Sequence, residues 1–89
     1  EDLVSTGKSS LQAVKALREA GCNVVGLISI FTYGLDQAKV NFAEAKCPLF
    51  SLCDYNALIQ VAVDKSYVLE SDIELLEQWR KDPANWSAQ

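Results

Sequence analysis

Ten consecutive residues hold most of the chemistry this chain could perform: Glu1-Asp2-Leu3-Val4-Ser5-Thr6-Gly7-Lys8-Ser9-Ser10. They stand directly before a stretch with helical spacing, and the backbone N–H groups at a helix start, with the positive end of the dipole behind them, suit a phosphate. Thr6, Ser9 and Ser10 add hydroxyl donors, and Gly7 lets the backbone approach an anion closely. Glu1 and Asp2 would repel a phosphate they faced. They make sense one step away, accepting hydrogen bonds from a sugar diol or facing a metal ion beside it. The chemistry this suits is a phosphate with a sugar diol or a metal ion beside it.

Two other readings compete on the same residues. Gly7-Lys8-Ser9 matches the end of the nucleotide-binding pattern G-x-x-x-x-G-K-[ST], but the first glycine would fall at position 2, which is Asp2. A side-chain carboxylate there spoils both the tight turn and the anion cradle. The blander reading is a helix after an acidic loop that binds nothing. Elsewhere the chain offers little. Cys22, Cys47 and Cys53 form no C-x-x-C pair and there is no histidine, so reduced thiols in a cytosolic protein are expected rather than a zinc site. A net charge of −4 argues against a nucleic-acid binder, whose affinity rests on a basic surface. No apolar run approaches the ~20 residues that cross a bilayer.

The elements that must position the motif follow from periodicity. Glu1 to Lys8 reads as a loop. A helix is predicted from Ser9 to Ala20, with Leu11, Val14 and Leu17 on one side and Gly21 as its stop. Asn23 to Phe31 runs apolar without alternating, which predicts a strand buried on both faces. Leu35 to Lys46 is a second helix, and Pro48 to Leu52 a short strand whose proline suits only its first position or an edge. Asp54 caps a third helix through Lys65 that carries Leu58, Val61 and Ala62 inward, and Ser71 with Glu74 forms a capping box for a fourth, stopped at Asp82-Pro83. Phe31, Tyr33 and Phe42 read as packing residues. This is an α/β order with a parallel sheet. Two strands are too few for such a sheet, and no strand feeds Glu1, so the 89 residues are expected to begin in the middle of a larger fold.

Two acids, two aliphatics and Ser-Thr-Gly resemble the phosphoribosyl diphosphate signature of the type I phosphoribosyltransferases, closest within them to the orotate enzymes. Ala16-Leu17-Arg18-Glu19-Ala20-Gly21, Ile30-Phe31-Thr32-Tyr33-Gly34-Leu35, Pro48-Leu49-Phe50-Ser51-Leu52 and Asp54-Tyr55 extend the likeness in register from Glu1 to about Val63. The resemblance implies a doubly wound, mostly parallel α/β fold of which residues 1–89 are the C-terminal part. It implies transfer of a phosphoribosyl group from phosphoribosyl diphosphate to orotate with Mg²⁺, in a cytoplasmic homodimer. Carried over residue by residue, Glu1, Asp2, Leu3, Val4, Ser5, Thr6, Gly7, Lys8 and Ser9 bind phosphoribosyl diphosphate. Glu1 and Asp2 are on the ribose hydroxyls, and the loop from Ser5 to Ser9 wraps the 5′-phosphate. Ser5 also contacts orotate, and none of these residues is a metal ligand or a catalytic group. Lys8 replaces the commoner glycine of the motif. Tyr33 stands where some bacterial members carry an arginine that touches orotate, so no catalytic role falls to it. The alternative implied by the same fold is a regulator that senses phosphoribosyl diphosphate without turning it over. Such proteins tend to be basic, and this chain is not.

Overall fold

The computed structural model describes residues 1–86. Three parallel strands in the order β1-β2-β3 form one sheet: β1 (Leu3–Val4), β2 (Leu27–Thr32) and β3 (Leu49–Asp54). Helices α1 (Lys8–Glu19) and α2 (Asp36–Glu44) make the two crossovers, α3 (Tyr55–Asp64) follows β3, and α4 (Ile73–Lys81) comes after a 3₁₀ turn at Glu70–Asp72. A last 3₁₀ turn spans Pro83–Asn85. Successive crossovers between adjacent parallel strands place their helices on one face of the sheet. There α1 and α2 enclose the core of Val4, Val14, Leu35, Ala38, Phe42 and Cys47.

The α/β fold with a parallel sheet is as the sequence predicts, and several element ends follow local chemistry. Gly21 ends the turn after α1 in the left-handed region (φ 92), where glycine carries no steric cost. The Asp54 carboxylate accepts from the Ala57 N–H at 2.8 Å, the predicted cap of α3. Arg18 reaches from α1 to the carbonyls of Ala45 and Lys46, supplying donors that the C-terminal end of α2 lacks.

Four expectations are corrected. The segment before Ser5 is not all loop. Leu3–Val4 is a strand in register with Phe31–Thr32, and the Glu1 and Asp2 carbonyls extend the ladder by accepting from Ile30 and Phe31 at 3.1 and 3.0 Å. A third strand is thus present, two residues long and too short to show a period. β2 starts at Leu27 rather than Asn23 and is not buried on both faces. Leu27 and Ser29 turn toward the helices, while Ile28 and Ile30 are 64% and 60% exposed. On α3 the inward residues are Tyr55 and Ile59, with Leu58 and Val61 half exposed, because the helix leans its Tyr55 edge toward α4. Ser71 caps nothing: the Leu69 N–H donates to the Asp72 carboxylate at 3.3 Å as the chain enters α4 through the 3₁₀ turn. Among the described residues the three cysteines are free thiols, Cys47 buried and Cys22 exposed.

Candidate functional site

The end of β1 delivers the motif. Val4 is fully buried and fixes the strand by its side chain, while its carbonyl accepts from the Tyr33 N–H at 3.2 Å and from the Thr32 hydroxyl at 3.3 Å. Thr32 Oγ1 in turn accepts from the Gly34 N–H at 3.2 Å, so the turns after β1 and β2 are held as one surface. Beyond Val4 the chain turns through Ser5, Thr6 and Gly7 into α1. Gly7 has φ 84, a left-handed conformation that side-chain-bearing residues rarely adopt, and a Cβ there would collide with the Cε2 edge of the Phe42 ring. The turn therefore requires glycine for two independent reasons.

No side chain caps α1. Its first i→i−4 bond runs from the Leu11 N–H to the Gly7 carbonyl at 2.9 Å. The N–H groups of Lys8, Ser9 and Ser10 precede that bond and point off the helix end, where an anion can take them. Asn41, on α2, donates to the Thr6 carbonyl at 2.9 Å and pins the outer limb of the turn. Ser5, Lys8 and Ser9 are exposed and Thr6 is half-buried. The predicted hydroxyl set is narrower than expected. Ser10 is buried (2% exposed) and donates to Glu1 Oε2 at 2.9 Å, so it faces back along the strand instead of toward the anion position. Asp2 Oδ1 accepts from the Leu3 N–H at 2.7 Å. Both carboxylates lie at the surface beside the turn.

A cavity of about 560 Å³ opens on the other side of the turn, walled by Ser5, Thr6, Tyr33, Leu35, Trp79 and Lys81. Its aromatic side is a packed cluster. Phe31 and Tyr33 meet edge to face at 5.2 Å between centroids, Trp79 meets Tyr33 at 5.8 Å, and Tyr55 stacks on Trp79 at 5.7 Å. Tyr55 donates its hydroxyl to the Leu76 carbonyl at 3.3 Å, and burial, then the nearby Glu77 carboxylate, push its phenol above the usual tyrosine range. Tyr33 and Phe42 pack as the sequence suggests, yet Tyr33 also lines the cavity and Phe42 shapes the turn. Asn41, Trp79 and Lys81 carried no sequence signal, since each joins the site only through α2 or α4 folding back onto it. Among the described residues no three of His, Cys, Asp and Glu gather as a metal site. Among the described residues, Glu1 and Asp2 are the adjacent acids beside the turn, two hard oxygen donors of the kind a divalent cation takes. No helix of the described residues is long and apolar enough to cross a membrane.

Known proteins have similar sequences. The chain is 52% identical over 88 residues to an orotate phosphoribosyltransferase of Bacillus caldolyticus, covering 99% of this chain and 43% of that protein. It is 50% identical over 88 residues to that of Bacteroides thetaiotaomicron, covering 99% of this chain and 42% of the relative. It is 51% identical over 86 residues to that of Listeria monocytogenes serotype 4b, covering 97% and 41%. No family model matches the chain. The chain spans about two fifths of the length of these curated relatives, matching their C-terminal part. With half its residues identical along nearly its whole length, and a glycine-turned loop opening a helix beside two carboxylates, the chain belongs to the orotate phosphoribosyltransferase family.

Proposed function

We propose that this chain forms the ribose-phosphate half of an orotate phosphoribosyltransferase site, in an enzyme that converts orotate and phosphoribosyl diphosphate to orotidine 5′-monophosphate and pyrophosphate. The observation that carries this reading is the turn itself: Gly7 at positive φ turns the unbonded first-turn amides of α1 toward one point, with Glu1 and Asp2 alongside. Those amides, with the Thr6 and Ser9 hydroxyls, take the 5′-phosphate. Glu1 and Asp2 accept from the two ribose hydroxyls, which charge-assisted bonds hold tightly. Ser5 stands between the turn and the cavity, where the orotate ring would lie against the Tyr33 side. Leu3 and Val4 serve by backbone and anchoring. Glu1 and Asp2 would face a Mg²⁺ ion brought in with phosphoribosyl diphosphate, and that ion would supply neutralisation of leaving-group charge. The protein's share is positioning. The ribose carbon becomes cation-like as pyrophosphate leaves, and a fixed ribose-phosphate brings it in line with the entering ring nitrogen. A cytoplasmic homodimer is part of the same proposal.

In the full-length enzyme Asp2→Asn should raise the KM for phosphoribosyl diphosphate, weakening its use by ~1–3 kcal/mol, the scale of one hydrogen bond to a charged group. Steady-state kinetics with unaltered constants for that substrate would remove the diol assignment. Lys8 is exposed at the first position of α1, and its backbone amide serves as well without the side chain. Lys8→Gly should therefore keep activity within about tenfold, or ~1.4 kcal/mol. ATP hydrolysis that is present in the parent and lost in this variant would instead support nucleotide binding at Gly7-Lys8-Ser9.

A further inference from the structure

Ser10 has a partner that its place in the helix does not demand. It is the third residue of α1, a first-turn position where a serine can stay in water or bond to nearby backbone. Here it is only 2% exposed, and its hydroxyl donates to Glu1 Oε2 at 2.9 Å, nine residues back and just before β1. A hydroxyl so buried must be bonded or it costs stability. That need could have been met by a carbonyl of the preceding turn. It is met by Glu1, one of the two carboxylates beside the turn.

We infer that Ser10 is a positioning residue that holds the Glu1 carboxylate in the orientation in which it meets the ribose diol. The inference rests on the proposed function, since it presupposes that Glu1 touches the sugar. Glutamate has three side-chain torsions, and an exposed one loses them when it binds. Fixing Oε2 on the α1 side before the ligand arrives leaves Oε1 to face the diol, and part of the ordering cost is met by the fold instead of by the ligand. The hydroxyl has a second consequence: the hydrogen bond ties β1 to the first turn of α1 across the loop, so carboxylate and phosphate-binding amides move as one body. Asp2 has no such tether. Its carboxylate is set only by its own neighbour's N–H.

The test is a double-mutant cycle in the full-length enzyme with phosphoribosyl diphosphate as the varied substrate. Ser10→Ala should raise the KM for phosphoribosyl diphosphate about tenfold, equivalent to ~1.4 kcal/mol, with kcat and the KM for orotate within about twofold. Glu1→Gln should raise that same KM, and adding Ser10→Ala to it should change nothing further, because the group being positioned has already lost its charge. If Ser10→Ala raises KM equally in the Glu1→Gln background, Ser10 acts through general packing and the inference is overturned. If Ser10→Ala leaves KM unchanged while Glu1→Gln raises it, the inference falls and the loop assignment stands. If Glu1→Gln is itself silent, the assignment of Glu1 to the diol fails and takes the inference with it. Should Ser10→Ala be insoluble, Ser10→Cys preserves volume with a weak donor, and its KM is read against the same outcomes.

Discussion

Replacing Gly7 with alanine should destabilise the protein by about 2–4 kcal/mol and lower kcat/KM for phosphoribosyl diphosphate by well over tenfold. Two costs combine. The φ of 84 is one that residues with a Cβ adopt only at a penalty, and the added methyl would collide with the Cε2 edge of Phe42, itself buried in the core. The ring cannot withdraw freely, because Phe42 belongs to the cluster that also holds Val4, Val14 and Leu35. Either the turn or α2 must shift, and the turn carries the amides that face the anion. A cycle with Phe42→Leu separates the two costs. The smaller side chain should relieve the overlap and leave the backbone penalty, so the double variant should be more stable than the sum of the singles predicts. Urea denaturation showing Gly7→Ala within about 0.5 kcal/mol of the parent would mean that the turn tolerates a side chain, and the glycine requirement argued above would be wrong.

What could be read from the chain alone was local. Gly21 and the Asp54 cap are short-range chemistry, and both stand as read. The acids, the glycine and the helix start were legible for the same reason: their spacing along the chain fixes their spacing in space. The misses were of two kinds. β1 has two residues, and its existence depends on pairing with Phe31–Thr32, twenty-eight positions away by the Leu3 and Val4 register, so no window along the sequence contains it. The Ser71-x-x-Glu74 spacing was a true pattern, but the chain entered α4 by a 3₁₀ turn that put Asp72 in the bonding position. Ser10 is the instructive case at the site. Its type promised a phosphate donor, and only the burial of its side chain under the turn shows that it serves Glu1 instead.

The 89-residue chain, produced as it stands, should self-associate and show no orotate-dependent turnover. The helices α1 and α2 cover one face of the sheet, and the other presents Ile28, Ile30, Phe50 and Leu52 at 64%, 60%, 62% and 80% exposure. Ile28 lies beside Phe50 in register, so these side chains form one contiguous apolar surface across β2 and β3. Parallel sheets are ordinarily covered on both faces, and an open apolar patch of this kind drives association. The dimensions agree: a radius of gyration of 15.3 Å and a shortest extent of 16 Å describe one sheet under one layer of helices. A compact domain of this length would have a radius of about 12 Å. Sedimentation of the 89-residue chain should show oligomers, and Ile30→Lys with Leu52→Glu should shift it toward monomer by placing charge on that face. The same pair in the full-length enzyme should be strongly destabilising, by several kcal/mol for two charges set in a covered apolar surface. A monomeric 89-residue chain that unfolds cooperatively would show that this face needs no cover. A full-length enzyme indifferent to both charges would show that nothing lies on it.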